Sequence, residues 1–508
     1  MQRYLCYDVK GIQSFIFKIP KLKYIIGGSA LIDRFDKITM PGFHNANTQL
    51  IFAGGGKGTF LCKDEQILND LKSKIIAKAH GIGLDIRFGE NEDFSQASQH
   101  ADEIFSFVPV MNNGRPCPIS GLYPVSDDRP HPVLNKRLYE RGEKIYRHFE
   151  NKLLKDILLP GIPNENLEFF HNVDDDDGLD GLAGAKALGN RNRWAIISMD
   201  GNDMGMQFRH QVSKDNPKRL STQELQRWIR EMSYALDLCT CKAATAAIQR
   251  VVSEWADSDQ GKETVKTGKD VVLPVRPLLV GGDDIVVLCH CSYAMTFVKE
   301  AMRIFELTSA ESPHLWPATN GRLTITAGVL YAPVSLPLHT AIPYSETLLA
   351  SAKTRGRKKG IKNEASPACI DWEQITDTLV DSPAAKRQRE LLFEDEELDR
   401  IVKLTCRPCT MDEYHDIESV ARKYERVPTT VRHKILPALS KPYAERLAFY
   451  AECKKNHGDT IFKDLKEFDA RKPGNSWFLS PDKKEQSTNI IDALMLLEEE
   501  GRMQKETV

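Results

Sequence analysis

Apolar and polar positions along the chain fall into two stretches of similar rhythm with a dissimilar stretch between them. In the first, an apolar run at 4–9 is followed by a turn at 11–13 and by a helical pattern opening at 14–17, which Pro20 interrupts. A second run at 49–53 is turned by the glycines at 54–56 into a third at 59–62. Residues 64–80 have helical spacing, and 84–88 are strand-like. Strand, helix, hairpin, helix, strand is the order of a ferredoxin-like unit. Residues 191–372 repeat it on a larger scale. A strand at 194–199 ends in Asp200, and a long helix covers 223–254. Strands at 275–280 and 285–288 are joined at 281–284, then come a helix at 293–307, a strand at 323–330 and a helix at 344–354. The expected fold class is α/β (α+β), with one ferredoxin-like architecture used twice, at 1–110 and 191–372.

The remaining segments differ. Gly, Pro and Asp cluster at 112–131 and four aspartates run from 174 to 177, on either side of a helical stretch at 134–157. This predicts a linker over 111–190 with a small helical insert, the acidic run being a solvated loop. Residues 373–508 are rich in Glu, Lys and Leu with helical spacing throughout, and candidate helices lie at 394–404, 414–424 and 444–453. A C-terminal helical packing or docking domain is the expectation.

Composition narrows the class. At about 150 residues per domain, 508 residues predict three domains or so, long enough to bury several cores without staples. Lys plus Arg number 69 against 71 Asp plus Glu, a net charge of −2. That excludes a globally basic nucleic-acid wrapper while leaving room for a local basic site. No apolar run approaches about 18 residues, so no spanning helix and no membrane partner are expected. Asp8 stands where a signal peptide needs its apolar core. Eleven cysteines, an odd count, suit reduced thiols in a cytoplasm. Cys406 and Cys409 form a lone CxxC, and Cys453 with His457 follows at no recognised zinc spacing, so a structural zinc is not expected.

The candidate chemistry is carried by carboxylates. LLVGGDDIVVL at 278–288 is two strands joined by a tight turn holding Asp283 and Asp284. Gly281 and Gly282 permit positive φ and close approach of a phosphate. Adjacent carboxylates repel unless a cation sits between them, and Mg²⁺ or Mn²⁺ is the partner that oxygen ligands favour. On its own the segment is also compatible with a plain β-hairpin turn. IISMDGNDMGM at 196–206 is a strand that stops at Asp200 before a helix start. Asp200 would join Asp283 and Asp284 on the metal, the Gly201 carbonyl would add a ligand, and the N–H groups of Asn202, Asp203, Met204 and Gly205 would cradle phosphates. Two metals about 3.5–4 Å apart would activate a hydroxyl and stabilise a pyrophosphate leaving group. In SAKTRGRKKG at 351–360, Lys353 would pair with β- and γ-phosphates, while the other basic residues also suit a solvated helix end.

The combination MDGNDMG, GGDD, LTITAGV and LLASAK resembles the catalytic palm of the large subunit of type III CRISPR effector complexes, which is related to GGDEF-type cyclases. YDVKGIQSFIF at 7–17, GGSALID at 27–33 and LIFAGGGKGTFL at 50–61 are similar to that family's first palm. The resemblance covers about residues 1–110 and 190–372. It implies two palms facing each other with ATP between them, and conversion of ATP to cyclic oligoadenylates that switch on defence effectors. By motif it makes Asp200, Asp283 and Asp284 the metal ligands and Lys353 the phosphate contact. It also implies that Ser29 touches a base or ribose. The sequence departs from the family in three places. The first palm has GGGKG at 54–58 in place of GGDD, so it should be catalytically dead although Asp8 persists, with Lys57 supplying the charge of the lost cation. Asn202 stands where relatives often have an aspartate. No HD nuclease motif precedes the first palm, His415 and Asp416 are a chance match, and single-stranded DNA cleavage is not expected.

Three functions follow as alternatives. The first is a metal-dependent nucleotidyltransferase making a cyclic nucleotide or oligonucleotide from ATP or another nucleoside triphosphate. The second is a silent, nucleotide-sensing scaffold of an RNA-guided complex, with RNA and effector-complex subunits as partners. The third is a GTP-using GGDEF-like dinucleotide cyclase.

Overall fold

The computed structural model describes residues 2–17, 22–103, 153–169, 193–212, 220–267, 271–315, 322–359, 365–376, 381–395, 400–425, 427–441, 443–457 and 485–500. The acidic run at 174–177 and most of the expected helix at 134–157 lie outside them.

The first unit is built as β1 (Arg3–Lys10), α1 (Ile12–Phe17), α2 (Leu22–Arg34), β2 (Thr48–Gly54), β3 (Lys57–Cys62), α3 (Glu65–His80), β4 (Asp85–Asn91) and α4 (Phe94–Glu103). Its sheet has the order β2-β3-β1-β4, antiparallel throughout, as a ferredoxin-like unit requires. β1 is buried on both faces, and its side chains alternate between two clusters. Leu5, Tyr7 and Val9 join the main core, whereas Tyr4 and Cys6 pack with Phe94 and Ala97 of α4. Asp64 caps α3 by accepting from the Ile67 N–H.

β5 (Leu167–Phe169) pairs in parallel with β7 (Val271–Leu273), a small ribbon beside the second unit. That unit runs β6 (Arg193–Gly201), α5 (Met204–Val212), α6 (Thr222–Asp257), α7 (Asp259–Thr267), β8 (Val275–Gly281), β9 (Asp284–His290), α8 (Ala294–Ala310), β10 (Ile325–Pro333), α9 (Leu338–Lys359) and β11 (Cys369–Gln374). Four of its strands lie in the order β8-β9-β6-β10, the same arrangement as β2-β3-β1-β4. β11 then adds in parallel beside β10.

α6 joins the two units. Ser221 and Glu224 form a capping box at its start, and its 36 residues give a length of about 54 Å. Leu225, Trp228 and Ile229 cover the Tyr4 face of the first sheet. Gln226 Nε2 donates to Tyr4 OH at 2.8 Å, and Arg230 Nε to the Ile51 carbonyl at 3.1 Å. Farther along, α6 packs on α8.

The C-terminal segment is not helical throughout. Where a helix was expected at 394–404, β12 (Leu392–Asp395) and β13 (Arg400–Lys403) form a hairpin, and β15 (Glu485–Ser487) adds in parallel to it. β13 pairs with a strand 84 residues downstream, Ile401 opposite Glu485, which local helical spacing cannot reveal. β14 (Cys409–Thr410) extends the large sheet. Helices do follow at α11 (Met411–Tyr424), α12 (Thr429–Leu439), α13 (Tyr443–His457) and α14 (Ile490–Glu500), after the short α10 (Pro383–Glu390).

Candidate functional site

β6 runs through the middle of the large sheet, so register decides what its last residues meet. Asp200 lies opposite Asp284 of β9 on one side and opposite Thr326 of β10 on the other. Gly281 pairs with Asp284, leaving Gly282 and Asp283 as a two-residue turn in which Gly282 has φ +61°. Glycine with positive φ at the first central position is the pattern of a type II′ hairpin. The backbones lock together: the Gly201 N–H donates to the Asp283 carbonyl at 3.1 Å. A Cβ on Gly201 would lie 3.0 Å from Asp283 Cβ, so glycine there lets the carboxylate in.

The result is a cluster in which one carboxylate oxygen each from Asp200, Asp283 and Asp284 lies within 4.8 Å of the others. Burial, then the charge of Asp200, pushes the Asp283 carboxyl up to about 7. Asp284 is raised well above the usual carboxylate range by burial and by the charges of Asp283 and Asp200. Lys353 acts in the opposite direction on both. Its Nζ contacts Asp200 Oδ2 and donates to the Gly201 carbonyl at 3.2 Å. Packing explains its reach. A Cβ on Gly328 of β10 would sit 2.3 Å from backbone atoms of Ser345 and Leu349, so α9 lies directly on the sheet. Ser198 and Ser345 hydroxyls then meet at 2.7 Å.

One lysine cannot neutralise three carboxylates. The donor set is all oxygen, compact and strained by mutual repulsion, and it fits Mg²⁺ or Mn²⁺ held by Asp200, Asp283, Asp284 and the Gly201 carbonyl.

Other expected contacts are spent elsewhere. The Asn202 N–H donates to the Thr324 carbonyl at 2.8 Å, and its buried amide donates to Thr324 Oγ1 and Thr326 Oγ1, both at 2.9 Å. Asn202 therefore pins β6 to β10 and is not available to cradle a phosphate. Asp203 adopts φ +64° and accepts from Ser366 N and Oγ at 2.7 and 3.0 Å, which turns its side chain away from the cluster. Met204 and Gly205 open α5, whose first-turn N–H groups lack intrahelical partners by geometry. The Gly282 peptide is also taken. Its N–H donates to Asp237 Oδ1 at 3.3 Å, and its carbonyl accepts from Thr240 Oγ1 at 2.7 Å. Asp237 and Thr240 grip the acidic turn from behind, and no local motif announced them. Lys37, just beyond α2, reaches Asp237 Oδ2 at 3.4 Å from the first unit. Glu346 of α9 was also missed. Burial pushes it up to about 7, and its charge raises Asp284.

The first unit shows what loss of the carboxylates entails. Lys57 stands opposite Asp8 in the register that Asp284 shares with Asp200, and its Nζ lies 3.7 Å from Asp8 Oδ2. Lys10 contacts the same carboxylate. Gly55 and Gly56 have φ +61° and +75°, the signs of a type I′ turn. A Cβ on Gly56 would lie 2.2 Å from Ile12 Cδ1, so the place of Asp283 is filled as well as vacated. The Gly56 N–H donates to Asp36 Oδ2 at 2.7 Å, and burial pushes Asp36 up to about 7. Ser29 lies on α2, which packs against β8. Among the described residues no contact joins it to the cluster.

Two ferredoxin-like units, one with a carboxylate-bearing hairpin, define a protein of paired palm domains. Residues 193–362 match the family model of the Cas10/Cmr2 second palm domain. The match spans about a third of the chain. No curated protein matches it in sequence. Among solved structures it is similar to the Csm1–Csm4 cassette in complex with pppApApA, at 12% identity and TM-score 0.49, with 97% of this chain and 69% of that chain covered. The cassette in complex with cA3 gives 13% and 0.49, with 98% and 69% covered. Csm1 of T. onnurineus gives 13% and 0.43, with 98% and 69% covered. Among the described residues no helix is long and apolar enough to cross a membrane.

Proposed function

We propose that this chain is a nucleotidyltransferase that converts ATP to a cyclic oligonucleotide messenger, acting in the cytoplasm within type III CRISPR-like defence. The observation that carries the reading is the cluster of Asp200, Asp283 and Asp284 under Lys353, inside the segment that matches the Cas10/Cmr2 palm. In the reaction a 3′-oxygen of one nucleotide bonds to the α-phosphorus of another. The bond from that phosphorus to the bridging oxygen breaks, pyrophosphate leaves, and the 3′-hydroxyl proton passes to solvent. Repetition and a final closure give a ring. Bound Mg²⁺ or Mn²⁺ supplies charge neutralisation for the attacking and leaving oxygens.

The chain's own residues orient the parts. Asp200, Asp283 and Asp284, at the end of β6 and in the adjoining hairpin, would hold the metal ion. Lys353 exchanges its carboxylate contact for the β- and γ-phosphates, a charge-assisted pairing. The first-turn N–H groups of α5 at Met204 and Gly205 face the same anion. The first palm, with Ser29 and Lys57, holds the acceptor nucleotide and does no chemistry of its own.

The test is to incubate the protein with radiolabelled ATP and Mn²⁺ and to identify products from mixed nucleotides by mass spectrometry. Cyclic oligoadenylate from wild type and none from Asp283→Ala with Asp284→Ala is expected. Product from the double variant would place the chemistry elsewhere. No product from wild type, with any nucleotide or RNA added, favours a scaffold that binds nucleotide without turnover, and a guanosine product favours the GTP-using cyclase.

A further inference from the structure

On the face of α9 away from the acidic cluster, a cavity of about 640 Å³ lies between the helix and the C-terminal segment. That volume is within the usual range for a small-molecule site. Its walls are polar, with four cationic side chains against the carboxylates of Glu413 and Asp416. Arg355 and Lys358 come from α9, Lys403 from the end of β13, and Arg407 from the loop that follows.

These cations are unequally satisfied. Arg407 is fully buried and donates through Nε to Asp492 at 2.7 Å and through Nη1 to the Trp372 carbonyl, but its Nη2 has no hydrogen-bond partner among the described residues. Arg355 donates through Nη2 to Glu413 at 3.1 Å, and its buried Nε is likewise unmatched. Neither Lys358 nor Lys403 has an ion-pair partner among the described residues. Two such lysines beside Arg355 on one cavity point to an anion.

The rest of the lining refines the class. The Thr354 and Thr405 hydroxyls donate to the Ala350 carbonyl and to Asp492, while Glu413 and Asp416 bring carboxylates to the lining. Burial pushes the Cys406 thiol up to about 12, so it brings no negative charge. Carboxylates beside cations suit a ligand that is anionic at one end and carries sugar hydroxyls at the other. No aromatic ring lines the cavity among the described residues, so a base finds no stacking surface.

We propose that this cavity is a second ligand site, for a phosphorylated ribose such as a nucleoside monophosphate, recognised through phosphate and sugar rather than base. It is separate from the palm cluster and independent of the reaction proposed there. Ser351, Thr354, Arg355 and Lys358 face it from the helix whose Lys353 touches Asp200 on the opposite side.

The test is calorimetric titration of the full chain with AMP in EDTA, which removes divalent-dependent binding at the palm. Saturable binding is expected, with GMP equivalent to AMP, adenosine silent and inorganic phosphate weaker. Lys358→Glu with Lys403→Glu should weaken AMP roughly ten- to hundredfold, the loss of one charge-assisted contact or more, and Lys403→Gln should fall in between. Asp283→Asn with Asp284→Asn should leave binding intact. The proposal is overturned if AMP does not bind, if adenosine or free phosphate binds as well as AMP, if charge reversal changes nothing in a folded protein, or if the palm variant abolishes binding.

Discussion

Protons and divalent ions should compete for the acidic cluster, and the structure sets the size of the contest. Asp283 is held up to about 7 by burial and by Asp200, and Asp284 is raised by the same causes. A metal bound by both carboxylates must displace the protons they carry. For one group with a value near 7, the protonated fraction weakens binding about elevenfold at pH 6 and hardly at all at pH 8. Asp283 alone therefore predicts a tenfold or so tighter Mn²⁺ affinity at pH 8 than at pH 6, and Asp284 adds in the same direction. Stability without metal moves the other way. A carboxyl raised by folding contributes stability that is fully present below its unfolded value and lost as pH rises through the folded one. Ion-free protein should thus soften between pH 6 and 8, and Mn²⁺ should restore it most at the upper end. Electron paramagnetic resonance of free Mn²⁺ gives the affinity, and calorimetry in two buffers of different ionisation enthalpy counts the protons released. A pH-independent affinity with no proton release, in a protein that binds one ion per cluster, would refute the electrostatic reasoning.

Three further outcomes follow from contacts outside the cluster. Asp237→Ala removes a charge-assisted bond to Gly282 and the Lys37 pair; it should cost about 2 kcal/mol in urea unfolding and weaken Mn²⁺ binding, while Lys37→Ala should cost under about 1 kcal/mol. Gly56→Asp with Lys57→Asp should build no ion site in the first palm, because Ile12 fills the space and φ at 56 is positive; Mn²⁺ stoichiometry checks this, and a second bound ion would contradict it. Asp36→Asn keeps an acceptor for the Gly56 N–H and removes a carboxyl held up to about 7, so the variant should gain on wild type as pH rises from 4 to 7, by up to about 4 kcal/mol; parallel pH profiles would exclude the assignment.

Much of this molecule is visible in its sequence because the relevant signals are local. Apolar runs bounded by glycine turns gave the strands of both palms, and Asp200, Asp283 and Asp284 stand at strand ends where register alone brings them together. Lys353 is placed by the periodicity of one helix. What escaped is long-range. Asn202 and Asp203 look like a phosphate loop, but their partners Thr324, Thr326 and Ser366 lie more than 120 residues downstream. Asp237 sits in an ordinary helical stretch, and only the folded chain brings Gly282 and Lys37 to it. The strands at 392–403 were hidden because the strand that completes their sheet lies 84 residues downstream.

Gln226, Arg230, Asp237 and Thr240 are spaced four, seven and three apart along α6, so they form one stripe on a single rod. Its first half engages the palm whose hairpin lacks acids, and its second half the hairpin that carries them. Their alignment is then a matter of helical phase. One extra residue inserted between 230 and 237 would turn one half against the other by about 100°, leaving each palm intact but the pair out of step.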